Sequence, residues 1–131
     1  MSTLYVSDTH SLLWYLARDD RLGAGARTSF DQVASGDAKL VVPMITIAEL
    51  VLIVEKGRYA VNIETILTRL REQPEVIIAP LTLEVTLRMS VLTTLPDIHD
   101  QLIVAEAQQW GAGLITRDRE IQQSGLIQTV W

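Results

Sequence analysis

The chain has 131 residues, the size of one ordinary domain, and 48% of them are hydrophobic, which is enough for one buried core. It contains no cysteine, which excludes disulfides, thiolate metal sites and cysteine nucleophiles and is typical of the reducing cytoplasm. The formal net charge of −5 argues against a broad basic surface for nucleic acid, although acids that hold a metal ion would themselves contribute to that charge. The first residues lack the pattern of a signal peptide, and the longest apolar run, residues 40–54, is shorter than the roughly 20 residues of a membrane span. We therefore expect a single domain over residues 1–131, with no signal peptide and no membrane span.

Short strand-like segments alternate with helical ones along the chain. Residues 4–6 predict the first strand, and residues 11–17 predict a helix with leucines on one side. Residues 26–34 predict a second helix, and residues 39–42 a strand that stops at Pro43. The remaining predicted segments are helices at 45–56, 62–73, 82–92, 98–110 and 119–123 and strands at 76–79, 114–116 and 127–130. This alternation is typical of an α/β fold with a parallel sheet.

Four acidic residues directly follow predicted strands or lie in the first turns of the helices beyond them: Asp8, Glu49, Asp100 and Asp118. Binding sites of parallel α/β sheets form at this place, beyond the carboxyl ends of the strands. Each acid also has a simpler interpretation. Asp8 and Asp118 could be N-caps of the following helices, and Asp100 could be a favourable charge at a helix N-terminus.

Glu49 is the most informative of the four, because it is the only ionisable residue between positions 40 and 54. A buried carboxylate usually has a cationic partner or binds a metal, since its desolvation is costly. The alternative is that Glu49 faces solvent. If the four acids converge, two charges about 5 Å apart repel by roughly 3 kcal/mol at an effective dielectric constant of about 20, which favours recruiting a cation. Oxygen ligands select Mg²⁺ or Mn²⁺ rather than zinc, and such an ion commonly activates water to attack a phosphodiester.

Other polar residues allow two interpretations each. Arg117 and Arg119 flank Asp118 and either form a solvated turn or contact RNA phosphate. His10 and His99 could be ligands or bases, but isolated histidines are more often surface or capping residues. No nucleophile elbow, dinucleotide-binding motif or P-loop is present. A phosphatase of the haloacid type would have an acid where the chain has His10, and a receiver domain would have a lysine after a late strand, so both are disfavoured.

The same residues resemble four motifs of the PIN-domain nucleases, in particular the VapC-like toxins. Residues 6–14 (VSDTHSLLW) resemble the family's opening strand and first acid, and residues 45–50 (ITIAEL) resemble its second motif. Residues 97–107 (DIHDQLIVAEA) resemble the third motif and residues 113–118 (GLITRD) the fourth, and residues 127–131 also fit. The resemblance covers essentially the whole chain, with the four motifs in order.

The resemblance implies a three-layer α/β/α fold with a central parallel sheet of about five strands. It implies an endoribonuclease that depends on Mg²⁺ or Mn²⁺ and is the toxin of a toxin–antitoxin pair. By this analogy Asp8, Glu49 and Asp100 are the core metal-binding acids, and Asp118 completes the site. The implied reaction is in-line attack on RNA by metal-bound water, which leaves a 3′-hydroxyl and a 5′-phosphate. The resemblance also implies a homodimer and inhibition by an antitoxin protein that reaches into the site.

Three further positions could take part in the site, of which Asp97 and Thr116 follow from the resemblance and Arg117 from its place beside Asp118. Asp97 is either an accessory acid or itself the core third acid; we favour Asp100 for the core, because the apolar helical run starts directly after it. Thr116 could position a metal-bound water, and Arg117 could contact the RNA. The family often has arginine directly after the third acid, where this chain has Gln101. The alternative function is a catalytically weak PIN module that mainly binds a partner protein or RNA.

Overall fold

The computed structural model describes residues 3–57 and 59–131, and its centre is one parallel sheet of five strands. The strands are β1 (Thr3–Ser7), β2 (Ala38–Pro43), β3 (Val76–Ala79), β4 (Gly113–Ile115) and β5 (Thr129–Val130). Their order across the sheet is β3-β2-β1-β4-β5, and all neighbouring pairs are parallel. This confirms the predicted α/β class with a central parallel sheet.

Helices cover both faces of the sheet. The described helices are α1 (Thr9–Leu16), α2 (Ala24–Ala34), α3 (Met44–Glu55), α4 (Ile63–Glu72), α5 (Leu83–Met89), α6 (Ile98–Trp110) and α7 (Arg119–Gln123). Successive strand residues point to opposite faces, so Val41 packs with α5 and α6, whereas its neighbours Leu40 and Val42 pack with α1, α2 and α4. The strands are therefore apolar on both sides, as the three-layer arrangement requires.

Several element boundaries differ from the predicted ones by two or three residues. Helix α1 begins at Thr9 rather than at Ser11, because Asp8 is its N-cap. The helix predicted over 82–92 ends at Met89, and the chain continues through successive turns up to Leu95. The last strand is limited to Thr129–Val130, because β4 offers it only the two partners Leu114 and Ile115.

The longest described helix, α6, has 13 residues. None of the helices in the described part of the chain combines the length and the apolar character needed to cross a bilayer.

The topological switch point of the sheet lies between β1 and β4. From β1 the chain continues to β2 and β3 on one side, and it returns to form β4 and β5 on the other. Helix α1 leaves β1 towards one face, whereas α7 leaves β4 towards the opposite face. The loops diverge there and open a crevice at the carboxyl ends of the strands, where ligands bind in such folds.

Candidate active site

Asp8 and Asp118 lie just beyond β1 and β4, the two neighbouring strands at the switch point. The Asp8 N–H donates to the Ile115 carbonyl at 3.1 Å, which continues the pairing of β1 with β4. One carboxylate oxygen of each acid caps a helix: Asp8 Oδ1 accepts from the Ser11 N–H at 2.9 Å, and Asp118 Oδ1 accepts from the Ile121 N–H at 3.1 Å. The other oxygen of each carboxylate can still accept further bonds or bind a cation, so the cap role and a site role are compatible.

Glu49 lies in α3, and its carboxylate contacts one residue of α1 and one residue of α6. Its Oε1 accepts a 2.6 Å hydrogen bond from the hydroxyl of the buried Thr9, across 40 positions of sequence. The Nδ1 of His99 lies 3.7 Å from the other carboxylate oxygen. The Glu49 side chain is 25% exposed, so it does not simply extend into solvent.

Asp100 lies in the first turn of α6, three residues after the capping residue Asp97. Partial burial raises the pKa of Asp100 to about 6, and the negative charges of Asp118, Asp97, Asp8 and Glu49 add to the increase. These charges act on Asp100 because the acids, which are far apart in sequence, face one region of the molecule.

The core acids line one open cleft of about 960 Å³. Around Asp8, Glu49, Asp100 and Asp118, the cleft is lined by Thr9, His10, Ser11, Trp14, Ile103, Arg117, Arg119, Glu120, Gln122 and Trp131. The structure thus brings together the four acids and both arginines that the sequence singled out.

Two other candidate residues are not among those that line the cleft. The Asp97 side chain is 53% exposed, and its Oδ1 accepts from the N–H groups of His99 and Asp100 at 2.7 and 3.4 Å. Thr116 is fully buried, and its hydroxyl accepts from the Asp118 N–H at 3.0 Å. In this arrangement Asp97 fixes the start of α6, and Thr116 fixes the backbone that carries Asp118.

One wall of the cleft combines aromatic rings with cations. The Arg117 guanidinium lies 5.1 Å from the centre of the Trp14 ring, and that of Arg21 lies 4.7 Å from it. Trp131 meets Trp14 edge-on, with ring centres 6.0 Å apart. Such contacts attract a cation to the ring face and hold its side chain in place.

Sequence reasoning missed Thr9 and Trp131 as cleft residues. Thr9 had a signal, because it is a polar residue directly after the first acid and opens the following helix. Trp131 had none, because nothing local links it to Trp14.

The cleft offers oxygen ligands to a divalent cation. Within residues 3–57 and 59–131, no group of three or more Asp, Glu or His side chains is arranged so that it could hold a metal ion. The donor chemistry still fits Mg²⁺ or Mn²⁺, because carboxylates predominate. The pKa of Asp100 is raised first by burial and then by the neighbouring negative charges, and a bound cation would offset that repulsion. Mg²⁺ also keeps several of its waters and commonly binds only one or two carboxylates directly, so the four acids need not all touch the ion.

The fold and the cleft define an α/β protein with clustered acids at the switch point of a parallel sheet. Residues 5–125 match the PIN domain family. The chain therefore belongs to the PIN-domain family. No curated protein is similar enough in sequence to count as a match.

Solved structures with a similar fold include VapBC2 from Rickettsia felis bound to a DNA fragment from its promoter, with a TM-score of 0.74, 16% identity and 97% coverage of both chains. A second is VapC20 from Mycobacterium tuberculosis, a sarcin-ricin loop cleaving toxin, with a TM-score of 0.69, 14% identity and coverage of 98% of this chain and 100% of the other. A third is a toxin–antitoxin complex from Klebsiella pneumoniae, with a TM-score of 0.63, 19% identity and coverage of 96% and 95%. At these identities the similarity establishes a VapC-like fold.

Proposed function

We propose that this protein is a metal-dependent endoribonuclease and the toxin of a toxin–antitoxin pair. The observation that carries the proposal is the cleft at the switch point, which is lined by four acids from separate parts of the chain. Membership of the PIN-domain family supports a nuclease, and VapC20, which shares the fold, is a sarcin-ricin loop cleaving toxin.

In the proposed reaction, Asp8, Glu49 and Asp100 would hold Mg²⁺ or Mn²⁺, with Asp118 completing the ligand set and Asp97 as an accessory acid. The bound ion would supply Lewis-acid activation of water and would neutralise charge on the phosphodiester. The protein prepares the acids before RNA binds: the Thr9 hydroxyl orients Glu49, and the helix caps orient Asp8 and Asp118. Because these bonds are already made, little reorganisation is needed during the reaction.

Arg117 is the proposed contact for the RNA backbone. Its side chain lines the cleft and is held against Trp14. Among the described residues, Arg117 has no carboxylate within 4 Å, so its charge is available to a phosphate. By resemblance to the family, the products are a 3′-hydroxyl and a 5′-phosphate.

We also infer a protein antitoxin as partner and a homodimer as the assembly. The toxin–antitoxin complex from Klebsiella pneumoniae, which shares the fold, supports the first. Exposed apolar side chains support a protein contact: Leu83, Leu87 and Val91, in and just after α5, are 69%, 62% and 75% exposed.

The test is cleavage of a mixed RNA pool by the purified chain with Mg²⁺, with Mn²⁺ and with chelator. Asp100→Asn is compared with Asp37→Asn, an acid just before β2, at the opposite end of the sheet from the cleft. We expect cutting that needs metal, is lost in Asp100→Asn and is unchanged in Asp37→Asn. Cutting that survives both chelator and Asp100→Asn would overturn the proposed site.

The second candidate function is a catalytically weak PIN module that binds RNA or a partner protein. It is favoured by one observation: within the described ranges, no three acids or histidines are arranged around a possible ion. The same assay separates the two functions. A folded protein that binds RNA but cuts none with either metal supports the module and contradicts the nuclease.

A further inference from the structure

A second cavity, of about 320 Å³, adjoins the acid cleft along α3. It is lined by His10, Glu49, Leu52, Ile53, Lys56 and Tyr59. His10 and Glu49 also line the acid cleft, so the two spaces share these two residues. The volume falls at the lower end of the range of small-ligand pockets, about 300–1,000 Å³.

The lining of the second cavity suits a flat, partly apolar group. Leu52 is 57% exposed, so the cavity contains an apolar surface that is not covered by other side chains. The rings of His10 and Tyr59 stand beside it. The Tyr59 hydroxyl is held by two donors, Trp14 Nε1 at 3.3 Å and Arg21 Nη2 at 3.2 Å, so the ring has a fixed orientation.

The second cavity also has a cation. Lys56 is exposed, and no carboxylate of the described residues lies within 4 Å of its amine. Acids repel a polyanion, so a nucleic acid that crosses this cleft needs positive charge beside it. Arg117 supplies such a charge in the first cleft, and Lys56 supplies one in the second cavity.

We propose that the second cavity binds one nucleotide of single-stranded RNA, next to the phosphate that lies at the acids. The base packs on Leu52 against the rings of Tyr59 and His10, and a backbone phosphate contacts Lys56. A single strand is required, because only an unpaired base can leave its neighbours and enter such a cavity. This inference rests on the proposed ribonuclease function and adds a substrate subsite to it.

The chain offers matched controls for both contacts. Lys39 is its only other lysine and lies near the start of β2, at the end of the sheet opposite to the cleft. Leu81 is another exposed leucine, 49% accessible, and is not among the residues that line either cavity. All four side chains are exposed, so we expect their substitution to leave the fold intact.

The experiment measures how tightly RNA binds to the full chain carrying Asp100→Asn, which is expected not to cut it. The RNAs are oligouridine and oligoadenosine of eight nucleotides, and binding is measured in Mg²⁺ over a range of salt concentrations. We expect Lys56→Gln to weaken binding about fivefold and to reduce the salt slope by about 0.7, the value for one phosphate contact on a single strand. Leu52→Ser is expected to weaken binding about fivefold without changing that slope, because it removes only a base contact. Lys39→Gln and Leu81→Ser are expected to stay within about twofold of the parent.

Two outcomes overturn the subsite. If the chain cuts RNA but Lys56→Gln weakens binding no more than Lys39→Gln, or Leu52→Ser no more than Leu81→Ser, the subsite is wrong and the ribonuclease function stands. If the wild-type chain neither cuts nor binds RNA, the ribonuclease function fails and the subsite fails with it.

Discussion

Asp100 combines partial burial with the negative charges of the nearby acids, and both raise its pKa. Its pKa of about 6 lies above the ordinary value of 3.8, so the folded protein holds this proton more tightly than the unfolded chain does. Stability contributed by the protonated group is therefore fully present below about pH 4 and is lost as the pH rises to about 6. At neutral pH and without metal, the Asp100 charge destabilises the fold.

We therefore expect Asp100→Asn to be more stable than the wild type at pH 7.5 in chelator, by about 1 kcal/mol. A two-unit shift corresponds to at most about 3 kcal/mol. Solvent screening lowers that figure because the Asp100 side chain is partly exposed. The substitution also removes a negative charge that is favourable at the N-terminus of α6, which lowers the gain further. Urea denaturation at pH 7.5 and pH 4 measures the effect, which should vanish at pH 4. Equal or lower stability of the variant at pH 7.5 would contradict the argument.

Thr9 acts through Glu49, since its hydroxyl donates a 2.6 Å bond to that carboxylate. We expect Thr9→Val, which keeps the shape of the side chain, to lower the kcat of RNA cleavage about tenfold through misplacement of Glu49. KM should change less than about twofold, and Thr9→Ser should restore the rate. A loss of activity that tracks only a loss of stability, with no rescue by serine, would assign Thr9 a merely structural role.

Glu106 is a buried acid that lies outside the four acids marked by the sequence pattern. Glu106 is more deeply buried than Glu49, at 3% exposure, and a carboxylate buried this deeply needs a partner. Its partner is Trp110, whose Nε1 donates to Oε1 at 2.9 Å, and burial raises the pKa of the Glu106 carboxyl. The two residues lie one helical turn apart, so their spacing in the sequence is enough to predict the contact.

At the scale of the element, α6 carries the third acid and is anchored at its start. Gln101, where the family often has arginine, donates from Nε2 to the carbonyls of Leu95 at 2.6 Å and Leu92 at 3.3 Å. The departure from the family pattern thus has a local role here: it ties the turns before α6 to the helix that positions Asp100.

We expect Gln101→Ala to destabilise the fold by about 1–3 kcal/mol, because it removes the donor from two backbone carbonyls. Gln123→Ala, at the exposed end of α7, should stay within about 0.5 kcal/mol of the wild type. Urea denaturation of both variants measures the difference. Indistinguishable midpoints would show that the turns before α6 do not depend on Gln101.

At the scale of the whole molecule, Trp131 brings the far end of the chain against the start of α2. Trp131 packs directly over Gly23 and Gly25 and meets Trp14 edge-on. A Cβ at Gly23 would lie 2.7 Å from two atoms of the Trp131 ring and 2.8 Å from its backbone carbon. Only glycine leaves room for this contact.

We expect Gly23→Ala to destabilise the protein by about 1–3 kcal/mol, the usual cost of overpacking. Gly113→Ala is the matched control, because its Cβ would meet only ordinary contacts at 3.8 Å or more. Thermal unfolding gives the stability, and near-ultraviolet circular dichroism reports the Trp14–Trp131 pair. Equal melting temperatures for the two variants would contradict the close approach of Trp131.

The sequence by itself determined the local elements and their polar ends. Residues 76–79, 98–110 and 119–123 were predicted with the bounds that the structure has, because apolar periodicity and caps such as Asp97 act between residues a few positions apart. It also marked Asp8, Glu49, Asp100 and Asp118 as acids beyond strands. Only the tertiary structure decided that β4 lies beside β1 and that the acids beyond these two strands line one cleft. The order of the strands likewise decided that Thr9 reaches Glu49 and Trp131 reaches Trp14. Such contacts join residues tens of positions apart, and they exist only once the strands have paired, which no local pattern specifies.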